Sequence, residues 1–183
     1  MNRKKNNFEE NILIAGAGGQ GVMLLGRIIA EAAMLEAKNV TYIRSYGAEM
    51  RGGTSNCWIR ISPARIAAPI FDKATISVMM NQPSLKKFKN RCGGNGVLLL
   101  NSSLIPDKIH QQGVSVKRIP LNNLALKLGN AKIVNIILLG FLLKTKPFVK
   151  MSSVESVIRK IFKDRPDLFQ INLRAFKAGF TYG

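Results

Sequence analysis

The chain has 183 residues, 46% hydrophobic and 21% charged, a globular balance that excludes a disordered tail protein. Lysine and arginine total 28 against 10 aspartate and glutamate, so the formal charge of +18 has to be matched by anionic ligands, acidic partners or compositional bias. Two cysteines (Cys57, Cys92) and one histidine (His110) exclude a disulfide scaffold and histidine-pair catalysis. They also exclude any iron–sulfur cluster or Cys-rich zinc site built by this chain alone.

Residues 1–10 read as a basic N-terminal extension, with Arg3, Lys4 and Lys5 ahead of an apolar run too short for an export signal. Residues 11–15 (NILIA) form a short apolar run that suits a buried parallel strand. The glycine-rich stretch Gly16-Ala17-Gly18-Gly19-Gln20-Gly21 follows, and helical spacing of Val22, Leu25, Ile28, Ile29, Ala32 and Ala33 then predicts a helix to about Glu36. Strand, glycine turn and helix open a βαβ unit, with residues 39–44 as the second strand of a doubly wound sheet. Residues 45–54 (SYGAEMRGGT) fit no regular element, because three glycines in ten residues deny a stable helix. A β-like run at 55–62 ends at Pro63, and a short strand returns at 66–70.

Residues 74–80 read as a buried strand, followed by a helix N-capped by Ser84. Gly93-Gly94-Asn95-Gly96 reads as a turn before a strand at 97–100, and residues 114–119 read as another strand. Helices follow at 121–128 and 132–143, and two more, within 152–183, finish the chain. The longest apolar stretch, 133–143, holds Asn135 and Gly140 and falls short of the roughly 20 residues a membrane span needs, so it predicts a buried helix. The expected fold is α/β: a single Rossmann-like domain over 1–183, its mostly parallel sheet flanked by helices, with a helical C-terminus. Reduced thiols and the missing export signal place it in the cytoplasm.

Gly16, Gly18 and Gly21 fit G-x-G-x-x-G, whose small residues let backbone N–H groups and a helix N-terminus approach a phosphate. Gly19 and Gln20 belong to the same turn. A side chain at Gly18 is expected to crowd the strand–helix junction, so Gly18→Val should impair folding. The alternative reading is a turn that only packs helix on strand. A dinucleotide dehydrogenase would also need a carboxylate ending the second strand, and that strand ends in Arg44 and Ser45. Arg44 leaves open a free-standing NADP-linked reductase. The loop beyond carries a phenol (Tyr46), a carboxylate (Glu49) and a guanidinium (Arg51) on a backbone loosened by Gly52 and Gly53 and closed by Thr54. Arg51 can grip a carboxylate or phosphate with two parallel hydrogen bonds; an internal Glu49–Arg51 ion pair is the competing role. Asn81 and Gln82 follow another strand end, to meet a ligand or cap a helix. Cys57 reads as a small buried residue, Cys92 as unreactive and His110 as solvated.

The blocks GAGGQGV (16–22), SYGAEMRGGTSNC (45–57), MNQPSL (80–85) and NSSLI (101–105), with LGN at 128–130 and the N…LG pattern of Asn135, Leu139 and Gly140, resemble the gamma subunit of 2-oxoacid:ferredoxin oxidoreductases of the pyruvate ferredoxin/flavodoxin oxidoreductase family. Ala48 stands where that family usually has proline. The resemblance implies a multi-subunit enzyme that oxidatively decarboxylates a 2-oxoacid, forms an acyl-CoA and passes electrons to ferredoxin. Thiamine diphosphate, Mg²⁺ and [4Fe-4S] clusters would then be held by the alpha, beta and delta (ferredoxin-like) subunits, and this chain would help form the CoA-facing side. No metal site is assigned to this chain. The loop is more like that of 2-oxoglutarate or 2-ketoisovalerate enzymes than of pyruvate enzymes. The basic residues are spread along the chain without an aromatic–basic recognition motif. Partner-subunit contacts therefore rank ahead of compositional bias, and neither nucleic acid nor membrane is an expected partner.

Overall fold

The computed structural model describes residues 9–45 and 54–183. Its elements are β1 (Glu10–Ala17), α1 (Val22–Leu35), β2 (Asn39–Ser45), β3 (Thr54–Ser62), β4 (Ala74–Met79), α2 (Gln82–Phe88), β5 (Cys92–Asn101), β6 (Ser115–Ile119), α3 (Leu121–Lys127), α4 (Val134–Thr145), α5 (Met151–Ile161) and α6 (Pro166–Thr181). The six strands form a sheet in the order β2-β3-β1-β4-β5-β6. Pairs β1/β4, β4/β5 and β5/β6 are parallel, whereas β3 runs antiparallel to both β1 and β2. The sheet is thus mostly parallel as expected, with one reversed strand. β1-α1-β2 is not a simple βαβ unit, because β3 is inserted between its two strands.

Side-chain alternation explains how both faces are covered. Along β1, Ile12 and Ile14 enter one core while Leu13 and Ala15 enter the other, and all four are fully buried. The larger core lies under α1 and α3 to α6; the smaller lies under α2 with Phe71, Phe88 and Trp58. Helix α4 is buried from Val134 to Leu143 because α6 packs along it while α1 and α3 cover further sides. Among the described residues no helix is long and apolar enough to cross a membrane.

Four local expectations are corrected. Residues 66–70 are not a strand: Pro63 and Pro69 interrupt pairing and Ile70 is exposed. Asn81, not Ser84, caps α2. Its Oδ1 accepts the Ser84 N–H at 2.9 Å, and Pro83 sits in the first turn, where a missing N–H costs nothing. Residues 93–96 belong to β5 rather than preceding it as a turn, the sheet absorbing them through a register shift against β4, with Asn95 left-handed at φ 63°. Glu10, assigned to the extension, is buried in β1 and ion-paired to Lys146 at 2.8 Å.

Candidate functional site

Parallel strands of an open sheet all end on one edge, where connecting loops converge and ligands bind. Here β1 ends at Ala17, β4 at Met79 and β5 at Asn101. The reversed β3 starts on that same edge, Thr54 opposite Ala17 and Ser55 opposite Gly16. Ser45, ending β2, faces Asn56 of β3. Both anchors of the 46–53 loop therefore lie on the edge that carries the glycine turn, Thr54 directly beside it and Ser45 one strand further out. Tyr46, Glu49, Arg51, Gly52 and Gly53 themselves lie outside the described residues.

The turn is built from its residues upward. Gly19 and Gly21 have φ of 85° and 74°, the left-handed region that a Cβ penalises. Gly21 caps α1 with no side-chain hydrogen bond, and the first intrahelical bond runs from Leu25 N–H to the Gly21 carbonyl at 2.9 Å. The N–H groups of Val22, Met23 and Leu24 precede it and have no intrahelical acceptor. Val22, Met23 and Leu24 line a cleft of about 290 Å³ with Gly18, Gly19, Gly21 and Ser55. Ser55 is 4% exposed and lies on the α1 face of β3, two positions before Cys57, whose Sγ sits 3.7 Å from the Val22 carbonyl oxygen. The free amides, the positive end of α1 and a hydroxyl make this cleft a place for an anionic oxygen group.

Amide side chains knit the rest of the rim. Gln20 Oε1 accepts the Ala17 N–H at 2.7 Å and an Asn81 Nδ2–H at 3.4 Å (N···O), tying the turn to the cap of α2. Asn101 Nδ2 donates to the Met80 carbonyl at 3.1 Å, and its Oδ1 accepts the Leu121 N–H at 3.2 Å. Gln82 Nε2 donates to the Asp107 carboxylate. Of the residues chosen from sequence, Gly18, Gly19 and Gly21 line the cleft, Thr54 pairs with Ala17 beside it, and Ser45 lies on the same edge one strand further out. Gly16, Gln20 and Asn81 instead brace that edge from within, and Gln82 points to Asp107. A Cβ on Gly16 would lie 2.7 Å from Gln20 Oε1 and 2.9 Å from a Val22 methyl.

Sequence reading missed Ser55, whose role needs the β3 reversal, and gave Asn135 no contact. Asn135 Nδ2 donates to the Gly21 carbonyl at 3.3 Å, holding the cap from α4. Burial pushes the Cys57 thiol up to about 12 and raises Cys92 too, so neither is an activated nucleophile. His110 is exposed. Among the described residues no three His, Cys, Asp or Glu side chains converge to hold a metal. The two buried thiols lie in separate cores, an arrangement that does not fit a cluster.

The NADP reading weakens on geometry. With β3 inserted, Arg44 ends a strand two positions from β1, about 10 Å away. Arg44 stacks over the Tyr42 ring at 5.9 Å.

The fold and this edge define a Rossmann-like α/β protein with a glycine turn at a helix N-terminus and, on the same edge, the antiparallel strands β2 and β3. The chain belongs to the pyruvate ferredoxin/flavodoxin oxidoreductase family, which matches residues 11–182. It is 32% identical to 2-oxoglutarate synthase subunit KorC of Methanocaldococcus jannaschii over 98% of this chain and 97% of that one. It is also 32% identical to ketoisovalerate oxidoreductase subunit VorA of Methanothermobacter thermautotrophicus, covering 93% of this chain but 36% of that protein, so it spans about a third of that relative's length. The crystal structure of the gamma subunit of the keto/oxoacid ferredoxin oxidoreductase from Geobacter sulfurreducens superposes with a TM-score of 0.80. It is 27% identical and covers 93% of this chain and 96% of its own.

Proposed function

We propose that this chain is the gamma-type subunit of a 2-oxoacid:ferredoxin oxidoreductase, acting within an enzyme that converts a 2-oxoacid to an acyl-CoA and passes the electrons to ferredoxin. The substrate favoured is 2-oxoglutarate, the substrate class in the name of the relative matched over nearly its whole length. The carrying observation is one edge that unites the anion-ready glycine turn with both anchors of the SYGAEMRGGT loop. The cleft's chemistry suits a phosphate of CoA: free N–H groups of the first α1 turn and the Ser55 hydroxyl would hold it, with Arg51 as a second anion clamp. Tyr46, Glu49 and Thr54 would line the loop side. CoA supplies the thiol that accepts the acyl group; this chain's residues bind and orient it and exclude water. Thiamine diphosphate, Mg²⁺ and the [4Fe-4S] clusters would be held by alpha, beta and delta subunits, since the two buried cysteines of this chain offer no ligand set. The protein is read as one cytoplasmic domain whose cationic surface meets acidic partners.

Co-purification tests the reading. A tagged chain expressed with its partner genes should bring down thiamine diphosphate-binding and iron–sulfur subunits and reduce ferredoxin with 2-oxoglutarate and CoA. Arg51→Ala should raise the KM for CoA with the assembly intact. A chain that folds but never assembles would defeat the proposal.

A further inference from the structure

Helix α1 runs from the glycine turn to the opposite edge of the sheet, about 20 Å for its 14 residues. At that far end Met34 and Leu35 are each 63% exposed, two adjacent large apolar side chains on an otherwise well-covered helix. They border a cleft of about 600 Å³ between α1 and α5, shared with Val157 and Lys160. Immediately beyond, Glu36 and Lys38 border a second cleft of about 800 Å³, whose apolar walls include Phe148, Val149, Met151 and Phe180. The two clefts flank the C-terminal end of α1, where Met34 and Leu35 are the exposed apolar part of the face.

The charge around this face has one sign to spare. Lys38, Lys144, Lys150 and Lys160 line the clefts against two carboxylates, Glu31 and Glu36. Both carboxylates are already engaged within the chain. Glu31 is paired with Arg27 at 2.7 Å and Lys160 at 3.1 Å; Glu36 is paired with Lys38 at 3.0 Å and accepts the Lys150 N–H at 2.6 Å. The Arg27 hydrogen bond holds the Glu31 carboxyl below its ordinary value. Burial pushes the Glu36 carboxyl up, but hydrogen bonds from Lys150, Lys38 and Ser153 and the Lys38 charge leave it below its ordinary value. Neither is left to answer an incoming cation, whereas the Lys160 side chain is still 71% exposed.

We propose that this face docks a partner subunit of the oxidoreductase through a segment of apolar side chains flanked by carboxylates. The inference rests on the gamma-subunit reading and adds to it a contact remote from the CoA-facing edge. Apolar contact with Met34 and Leu35 would supply affinity, and lysine–carboxylate pairs at the rim would supply register and steering. A second copy of this chain is a poor occupant: it brings lysines against lysines, and each copy carries +18. Docking here leaves the glycine turn and loop mouth free for the reaction.

The test compares the free chain with the co-expressed complex. Amide hydrogen exchange should slow at residues 31–38 and 148–160 in the complex. Leu35→Asp, at an exposed position and checked for native circular dichroism, should raise the dissociation constant for the partner subunits about tenfold or more. The combined Lys150→Glu and Lys160→Glu variant should weaken binding and flatten its salt dependence. A complex that forms with unchanged affinity in Leu35→Asp, without protection at 31–38, overturns this docking face and leaves the gamma-subunit reading standing. A dimer of the lone chain that Leu35→Asp dissolves overturns it in favour of self-association. Failure of the folded chain to join any partner subunit sinks both.

Discussion

Two regions of this protein are built on glycine for opposite reasons. At the crossing of α4 and α6, a Cβ on Gly140 would lie 2.0 Å from the Phe176 carbonyl oxygen, and one on Gly179 would lie 1.8 Å from that of Ile137. There glycine lets two helix backbones touch, and the space is filled. At the turn after β1, Cβ atoms on Gly18 and Gly19 would meet nothing within 4 Å. There glycine leaves backbone N–H groups uncovered, and the space is free for something else. Glycine therefore marks a close approach at the crossing and open space at the turn. Gly21 sits between the two cases. It belongs to the turn by position, yet a Cβ on it would lie 2.4 Å from Asn135 Nδ2, a side chain of the same helix that makes the crossing.

The largest effect is expected at the crossing. Gly179→Ala must push α6 off α4, opening the core around Phe176, and should destabilise by about 4 kcal/mol or more. Thermal unfolding should show a chain that is poorly folded or melts far below the parent. A near-native melting temperature would mean that the helices can separate cheaply, and the contrast between the regions would dissolve. Gly21→Ala comes next. The left-handed φ of 74° alone costs a side chain about 1–2 kcal/mol, and the clash with Asn135 adds to it. Asn135→Ala by itself removes one hydrogen bond to the Gly21 carbonyl, worth about 1 kcal/mol. The double variant sharpens the comparison. Removing the Asn135 amide relieves the clash but not the backbone strain, so the pair should be more stable than the two single losses added together. Additive losses in denaturant titrations would show that Asn135 does not press on the turn.

Much of this was legible because it is local. The apolar run of β1, the glycine turn and the periodicity of α1 lie consecutively in sequence, and each appears as expected. The motif blocks also mark real parts of the rim: Asn101 from NSSLI and Asn81 from MNQPSL join the amide belt, and Asn135 and Gly140 prove to be a cap tie and a close crossing. What was not legible is non-local. The reversal of β3 depends on which strands pair, and short apolar runs do not encode direction. That reversal decides that Ser55 faces the α1 N-terminus and that Arg44 is carried away from β1. The cap of α2 was misplaced because Asn81 and Ser84 are both good caps; Pro83, preset for a first helical turn, favours the earlier one. The crowding expected at Gly18 fails for the same non-local reason, since no other part of the fold comes within 4 Å of a Cβ there.

The smallest structural effect is the most informative about function. Gly18 is exposed and its φ lies outside the left-handed region, so Gly18→Ala introduces neither strain nor clash. Its stability should stay within about 0.5 kcal/mol of the parent, or rise slightly through the stiffer unfolded chain. The added methyl nevertheless stands at the mouth of the cleft lined by Gly19, Gly21 and Ser55. If the chain acts as the proposed gamma-type subunit, Gly18→Ala should raise the KM of its enzyme for CoA several-fold while the melting temperature and subunit composition stay put, and Gly18→Val should extend the same trend. Paired measurement of KM and melting temperature separates the two uses of glycine at a single residue. A loss of stability without a change in KM would make Gly18 a packing glycine like Gly140, whereas a change in KM alone places an occupant in the space the fold leaves open.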